Sequence, residues 1–250
     1  MHTRSTPSPR AWTPDLRRSV RLFGDFRVEQ SDPDRFYSAL AADSVGQLST
    51  YLDLSGRTVL DVGGGPGYFR AAFEAAGAQY WALDADVGEL SGTGAIAAGT
   101  VVGDGMNLPF RDASVDLCYS SNVLEHVPDP WRMADEMLRV TRPGGVAFIS
   151  YTVWFGPWGG HETAPWHFLG GRYARRRYRA HHGHEPKNRY GESLFPVTVR
   201  AGLAWARQQT AGEVLDVVPR YNPRWSHWLT RVPILRELVT WNLVIVVRKA

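Results

Sequence analysis

Cysteine occurs once and lysine only twice in this 250-residue chain. The lone thiol, Cys118, excludes an internal disulfide framework and fits a reducing compartment. It lies in an apolar run and reads as a packed side chain, not a nucleophile. With Lys187 and Lys249 the only lysines, arginine carries nearly all the positive charge, and a net charge of +3 makes no case for a nucleic-acid partner. Long apolar runs are missing too. The most apolar candidate, residues 228–247, is interrupted by Arg231, Arg236 and Glu237, so no bilayer span is expected. The opening MHTRSTPSPRAW lacks the apolar stretch of a secretion signal, and the expected location is the cytoplasm. There are no internal repeats.

A composition 44% hydrophobic over this length suits one core and one domain. Residues 1–14, polar and holding three prolines, read as a disordered arm, and 15–250 as the domain. Residues 15–54 carry two helical patterns, the second capped by Asp32 or Asp34. Strand and helix signals then alternate: TVLDV, a helix over 68–76, QYWALD (79–84), GTVVGD (99–104), SVDLCYSS (114–121), a helix near 130–141, and GGVAFISYTVW (144–154). Such alternation predicts right-handed crossovers and a mostly parallel sheet. Asp129 and Pro130 should start the helix near 130, and Arg142-Pro143-Gly144-Gly145 should stop it. Residues 155–195 read as an insertion after the fifth strand. A helix (198–208) and strands 213–221 and 242–249 follow, the strands separated by an aromatic and apolar connector over 222–241.

The segment TVLDVGGGPGYF (58–69) is the most telling. An apolar strand runs into Asp61 and then Gly63, Gly65 and Gly67, which let the backbone turn sharply and let a ligand lie against it. A dinucleotide fingerprint wants a small residue at position 68, and Tyr68 stands there. The turn therefore suits a nucleoside with no pyrophosphate to anchor.

With that turn, and with GDGMNLPFRDASVDLCYSSNVLEHVPDP (103–130), the chain resembles the class I S-adenosylmethionine (SAM)-dependent methyltransferases, and among them the type 11 methyltransferase-domain family. The likeness is firmest over 56–150. SYTVWFGPWGGHE (150–162) and KNRYGESLF (187–195) extend it to one branch of that family, without supplying an acceptor. It implies a Rossmann-like, doubly wound α/β fold. Seven strands are expected, mostly parallel with an antiparallel last strand, together with N-terminal helices and the insertion.

Four strand ends carry groups fitted to SAM. Asp61 could orient the glycine turn or accept from the ammonium. Asp84 could accept both ribose hydroxyls, a role for which Asp86 is the alternative. Asp104 could accept from the adenine amine, with the Gly105 and Met106 amides facing the ring and Met106 covering it. Ser121 and Asn122 lie beneath the methionine part. His126 and His161, the latter beside Glu162 and flexible glycines, are the candidate bases, since imidazole titrates near neutrality. His161, His167, His181, His182 and His184 show no tight metal-ligand spacing, and no metal is expected.

The insertion is aromatic (Trp154, Trp158, Trp166, Phe168, Phe195), fitted to a pocket or to a small core of its own. The arginines of 172–189 read first as a solvated helix face and second as a steering patch for anions. In 223–241, Trp225, Trp228, Leu229, Val232, Ile234, Leu235, Leu238 and Trp241 interleave with arginines, as in a segment contacting a membrane surface or packing on the sheet edge. The expected function is methyl transfer from SAM to an oxygen or carbon of a small apolar or aromatic, even lipid-like, acceptor. The alternative is a non-catalytic SAM-fold binding or membrane-interface protein. No Asn/Asp-Pro-Pro-aromatic run follows the fourth strand, which argues against nucleic-acid methylation.

Overall fold

The computed structural model describes residues 12–29, 31–90 and 97–250. Most of the arm assigned to 1–14 lies outside them. Trp12 donates from its indole Nε1 to Asp43 at 3.2 Å, and Arg18 lies over its ring.

Seven strands form one sheet: β1 (Thr58–Val62), β2 (Gln79–Asp84), β3 (Thr100–Val102), β4 (Val115–Ser121), β5 (Thr141–Thr152), β6 (Gly212–Pro219) and β7 (Asn242–Lys249). Their order is β3-β2-β1-β4-β5-β7-β6. β1 to β5 pair in parallel, and β7 runs antiparallel to both β5 and β6. The central strands are rich in buried Val, Leu and Ile because both their faces are covered. The order reverses between β1 and β4. A crevice opens at such a switch point, outside the carboxyl ends of the strands.

Helices α1 (Leu16–Phe26), α2 (Pro33–Leu48) and α3 (Arg70–Ala75) precede and follow β1. Asp32, not Asp34, caps α2, accepting from the Arg35 amide at 3.2 Å. Phe36, Leu40, Phe73, Tyr119 and Phe148 form the core on that face of the sheet. The opposite face packs α5 (Pro130–Val140) and α7 (Val199–Gln208), with Met133, Met137, Ile149 and Ile245 buried between them. Each such side chain, fully removed from water, contributes about 1.5–3 kcal/mol. A short α4 (Val87–Leu90) follows β2.

Several boundaries differ from the sequence reading, among them the fifth strand, at Thr141–Thr152, and the sixth, at Gly212–Pro219. The third strand spans only Thr100–Val102, and α3 starts at Arg70 because the glycine turn extends through residue 69. The stop signal after α5 is not a loop. Thr141 already pairs with Val115, and Arg142–Gly145 bulge out before pairing resumes at Leu117 and Val146. The insertion, which shows no clean period, nonetheless contains the 12-residue α6 (Gly171–His182). The connector folds as a 3-10 segment, Arg224–Arg231, and a short α8 (Leu235–Val239).

Candidate active site

The glycine turn hangs from the end of β2. Leu83 O accepts from Gly63 N at 2.7 Å and Gly64 N at 3.2 Å, while Asp84 Oδ2 accepts from Gly65 N at 3.0 Å. Gly63 has φ +80°, and a Cβ there would overlap Val123 at the head of the loop after β4. Gly65 differs. At φ +49° its missing Cβ would meet no atom within 4 Å, so this part of the turn faces open space. That is the cradle a nucleoside ligand needs. Tyr68 stacks on Tyr37 with ring centroids 4.5 Å apart, which fixes the turn against α2.

Asp61 sits under the turn, 2% exposed, and accepts from the Tyr80 hydroxyl at 2.6 Å. Burial pushes its carboxyl up to about 7, partly countered by that hydrogen bond. The geometry suits orientation of the turn better than a direct ligand contact. Asp84 is half-buried and also accepts from Asp86 N at 2.9 Å, which leaves lone pairs free on both oxygens. Asp86 is exposed and accepts from Gly88 N at 2.7 Å.

The Asp104 loop is braced by α5. Arg139 donates to Leu108 O and Phe110 O, both at 2.9 Å, and Glu136 accepts from Leu108 N at 2.9 Å. The Arg139 hydrogen bond holds the Glu136 carboxyl below its usual range. Asp104 is exposed and accepts from the Met106 amide at 2.8 Å. Gly105 is a packing glycine: a Cβ would come 3.1 Å from Met133 Sδ and 3.2 Å from Val62 Cγ1. Met106 stays half-exposed beside it.

At the ends of β4 and β5 lies a residue the sequence reading missed, Arg220. It is 2% exposed, and its guanidinium donates to Ser121 Oγ (2.7 Å), Ser150 Oγ (2.8 Å), Ser44 Oγ (2.7 Å) and the Tyr119 hydroxyl (3.1 Å). The nearby carboxylate, Asp43, is taken by Arg18 at 2.6 Å. Ser121 is thus an acceptor toward Arg220 and keeps its own hydroxyl proton to donate. Asn122 stands at φ +58°, with Oδ1 accepting from Asn242 Nδ2 at 2.6 Å. The proline-arginine end of a terminal strand gives no sign of this reach; the pairing of β5, β7 and β6 creates it.

The two candidate histidines, 35 residues apart, come together. His126 ends a 3-10 turn (Leu124–His126) directly after β4, and His161 begins another (His161–Thr163) in the insertion. Their ring centroids are 5.0 Å apart at 60°. His126 Nδ1 lies 2.8 Å from Ser193 O. His161 has φ +48°, and burial pushes its pKa down to about 4, with His126 adding to the shift. Glu125, passed over inside the VLEHVPDP motif, completes the group: donor atoms of Glu125, His126 and His161 all lie within 4.8 Å of one another. Glu162 points elsewhere, accepting from Asn188 at 2.9 Å. His167 is buried against Trp154, and His181, His182 and His184 are exposed at the end of α6.

The insertion's aromatics serve two ends. Trp158 packs on Phe23, Phe26 and Trp241, while Trp154 packs on His167 and Tyr190. Of the α6 arginines, Arg175 pairs with Glu185 and Glu192, each at 2.7 Å, and Arg177 lies over Trp166; Arg172, Arg176 and Arg179 are exposed.

Residues 60–149 match the family described as Methyltransferase domain. An uncharacterized methyltransferase of Mycobacterium avium is 54% identical over 243 residues, covering 93% of this chain and 95% of that one. One of Mycobacteroides abscessus is 52% identical over 246 residues, with 93% and 94% covered. Among solved structures, a SAM-dependent methyltransferase from Mesorhizobium loti superposes with TM-score 0.57 over 84% of this chain and 98% of its own, at 20% identity. One from Aquifex aeolicus superposes with TM-score 0.51 over 92% and 98%, at 12% identity. At these identities the two structures speak for the fold.

Proposed function

The chain belongs to the methyltransferase-domain family, and from that premise we propose that it moves a methyl group from SAM to an oxygen or carbon of a small apolar or aromatic acceptor. The observation that carries the SAM assignment is the open face of the glycine turn at Gly65, with Asp84 tied to it and free lone pairs beside it. In this reading Gly63, Gly65 and Gly67 form the cradle, Asp84 takes the ribose hydroxyls, and Asp104 and Met106 take the adenine. The Ser121 hydroxyl, with the Arg220 charge behind it, suits the ligand's carboxylate. SAM would supply the activated methyl as a sulfonium, and the protein would supply its alignment with the acceptor.

His126, four residues beyond Asn122, and His161 beside it are in this reading placed toward the acceptor. With its pKa near 4, His161 is neutral at pH 7, so it presents a lone pair and adds no charge to repel a cationic donor. So weak a base contributes little to proton removal by itself.

The surface favours an acceptor met at a lipid interface. Trp225 (70% exposed), Trp228, Ile234 (78%), Leu235 and Leu238 form an exposed apolar face interleaved with exposed Arg224 and Arg231. Arg224 N donates to Pro14 O at 2.6 Å, which joins this face to α1, where Leu16 and Val20 are exposed beside Arg17 and Arg21. Aromatic and basic side chains mixed in this way match an anionic bilayer.

Calorimetry with SAM, S-adenosylhomocysteine and NAD tests the reading. The first two should bind and NAD should not. Asp84→Asn keeps an acceptor for Gly65 N but loses the charge, and should weaken S-adenosylhomocysteine about 10- to 100-fold, the loss of about 1.5–3 kcal/mol. Unchanged affinity would remove Asp84 from the ribose, and absence of SAM binding would remove the proposal.

A further inference from the structure

We infer that Glu125, His126 and His161 form a binding site for one divalent transition-metal ion, Zn²⁺ or a similar nitrogen- and oxygen-seeking cation. This reverses the expectation drawn from chain spacing, because the fold, not a short motif, assembles the donors.

Glu125 is 1% exposed. Its Oε1 accepts from Thr152 N at 3.0 Å, while its Oε2 is buried and has no hydrogen-bond partner. Among the described residues no arginine or lysine forms an ion pair with it. A buried carboxylate oxygen left open in this way is costly, and a cation is the usual remedy. His161 Nε2 is likewise buried without a partner. The third donor follows from tautomer logic. A carbonyl can only accept, so Ser193 O at 2.8 Å from His126 Nδ1 requires the proton on Nδ1 and leaves the lone pair on Nε2. A ligating histidine normally makes such an outer hydrogen bond.

His167 Nδ1, another buried atom without a partner, belongs to no such group among the described residues. Here the two residues that carry such orphans meet a second histidine, with one donor atom of each of the three within 4.8 Å of the others. Zinc takes nitrogen and carboxylate oxygen at about 2.0–2.2 Å, so the ligand atoms of a tetrahedral shell lie about 3.4 Å apart. Small side-chain rotations close the difference. The left-handed backbone at His161, which a non-glycine residue adopts only at a cost, holds that ring in the group. Two nitrogens and one carboxylate leave coordination positions open, and an acceptor hydroxyl or carbonyl oxygen is the chemical class that fits them. That last clause rests on the methyl-transfer reading above; the metal site does not.

The test uses the full chain, stripped with chelator and titrated with Zn²⁺ by calorimetry and with Co²⁺ by visible absorption. One equivalent should bind with sub-micromolar affinity for Zn²⁺. Glu125→Gln and His161→Asn should each weaken it at least tenfold while unfolding cooperatively on heating. Gln keeps the Thr152 bond, and Asn tolerates the left-handed backbone. Zn-edge absorption on the unsubstituted protein should show two imidazoles and a carboxylate, a readout that stands even if a variant fails to fold. Replacing the exposed His181, His182 and His184 together by Gln should leave the affinity intact. No tight equivalent, a histidine-only shell, or loss of the ion in that triple variant would overturn the site. SAM affinity measured alongside keeps failure of the methyl-transfer reading separate from failure of this one.

Discussion

Asp61 is a buried carboxyl that is only partly ionised at neutral pH. With a folded-state pKa near 7 against an ordinary 3.8, the fold favours its protonated form. The folded protein then binds more protons than the unfolded chain between about pH 4 and 7, so this residue's contribution to stability is complete below pH 4 and is lost as pH rises to 7. Urea unfolding of the ligand-free protein should show a loss on the order of 2–4 kcal/mol from pH 4.5 to 7.5 relative to Asp61→Asn, whose side chain imitates the neutral acid. Parallel pH curves for the two proteins would mean that Asp61 is not desolvated as described. Arg220 presents the opposite case: a buried cation whose two terminal nitrogens donate to neutral hydroxyls while its Nε has no partner, with nearby Asp43 already engaged by Arg18. Together the two put a buried carboxyl under the turn and a buried cation under the β4 end.

Between β1 and α3 the turn divides its work between two glycines. Gly63 is filled from below by Val123, so the β1 turn and the loop leaving β4 interlock. Gly63→Ala should cost about 2–4 kcal/mol, combining an unfavourable left-handed backbone with overlap against Val123. Gly65→Ala should cost only about 1–2 kcal/mol in stability, since its Cβ meets nothing, yet should weaken SAM binding at least tenfold. Thermal melts and calorimetry on the pair separate these roles. If both variants lose stability equally, the open face at Gly65 is not where the ligand lies. The loop after β3 follows the same logic. Glu136 and Arg139 of α5 bond Leu108 and Phe110, so the position of the loop that carries Asp104 is set by a helix beyond β4 in the chain.

Across the whole molecule, the residues leading into α1 lie against the connector: Pro14 meets Arg224, and the insertion's Trp158 meets both α1 and Trp241. The exposed tryptophans and arginines of the connector should carry the protein onto anionic vesicles at low salt, and Trp225→Ser with Trp228→Ser should reduce co-sedimentation several-fold. Equal sedimentation of this double variant, or insensitivity to salt, would dissociate the surface from lipid. The sequence by itself determined the parallel sheet, the glycine turn and the acidic strand ends. Each rests on local chemistry: apolar runs of strand length, a backbone only glycine adopts cheaply, and carboxylates placed where strands must end. It also contained His126 and His161 as candidates, but could not bring them together. Their meeting with Glu125, and the reach of Arg220 from β6 to β4, depend on which strands become neighbours and how the insertion folds back. Contacts between residues 35 or 99 positions apart follow from the packing of whole elements, and only the tertiary structure decided them.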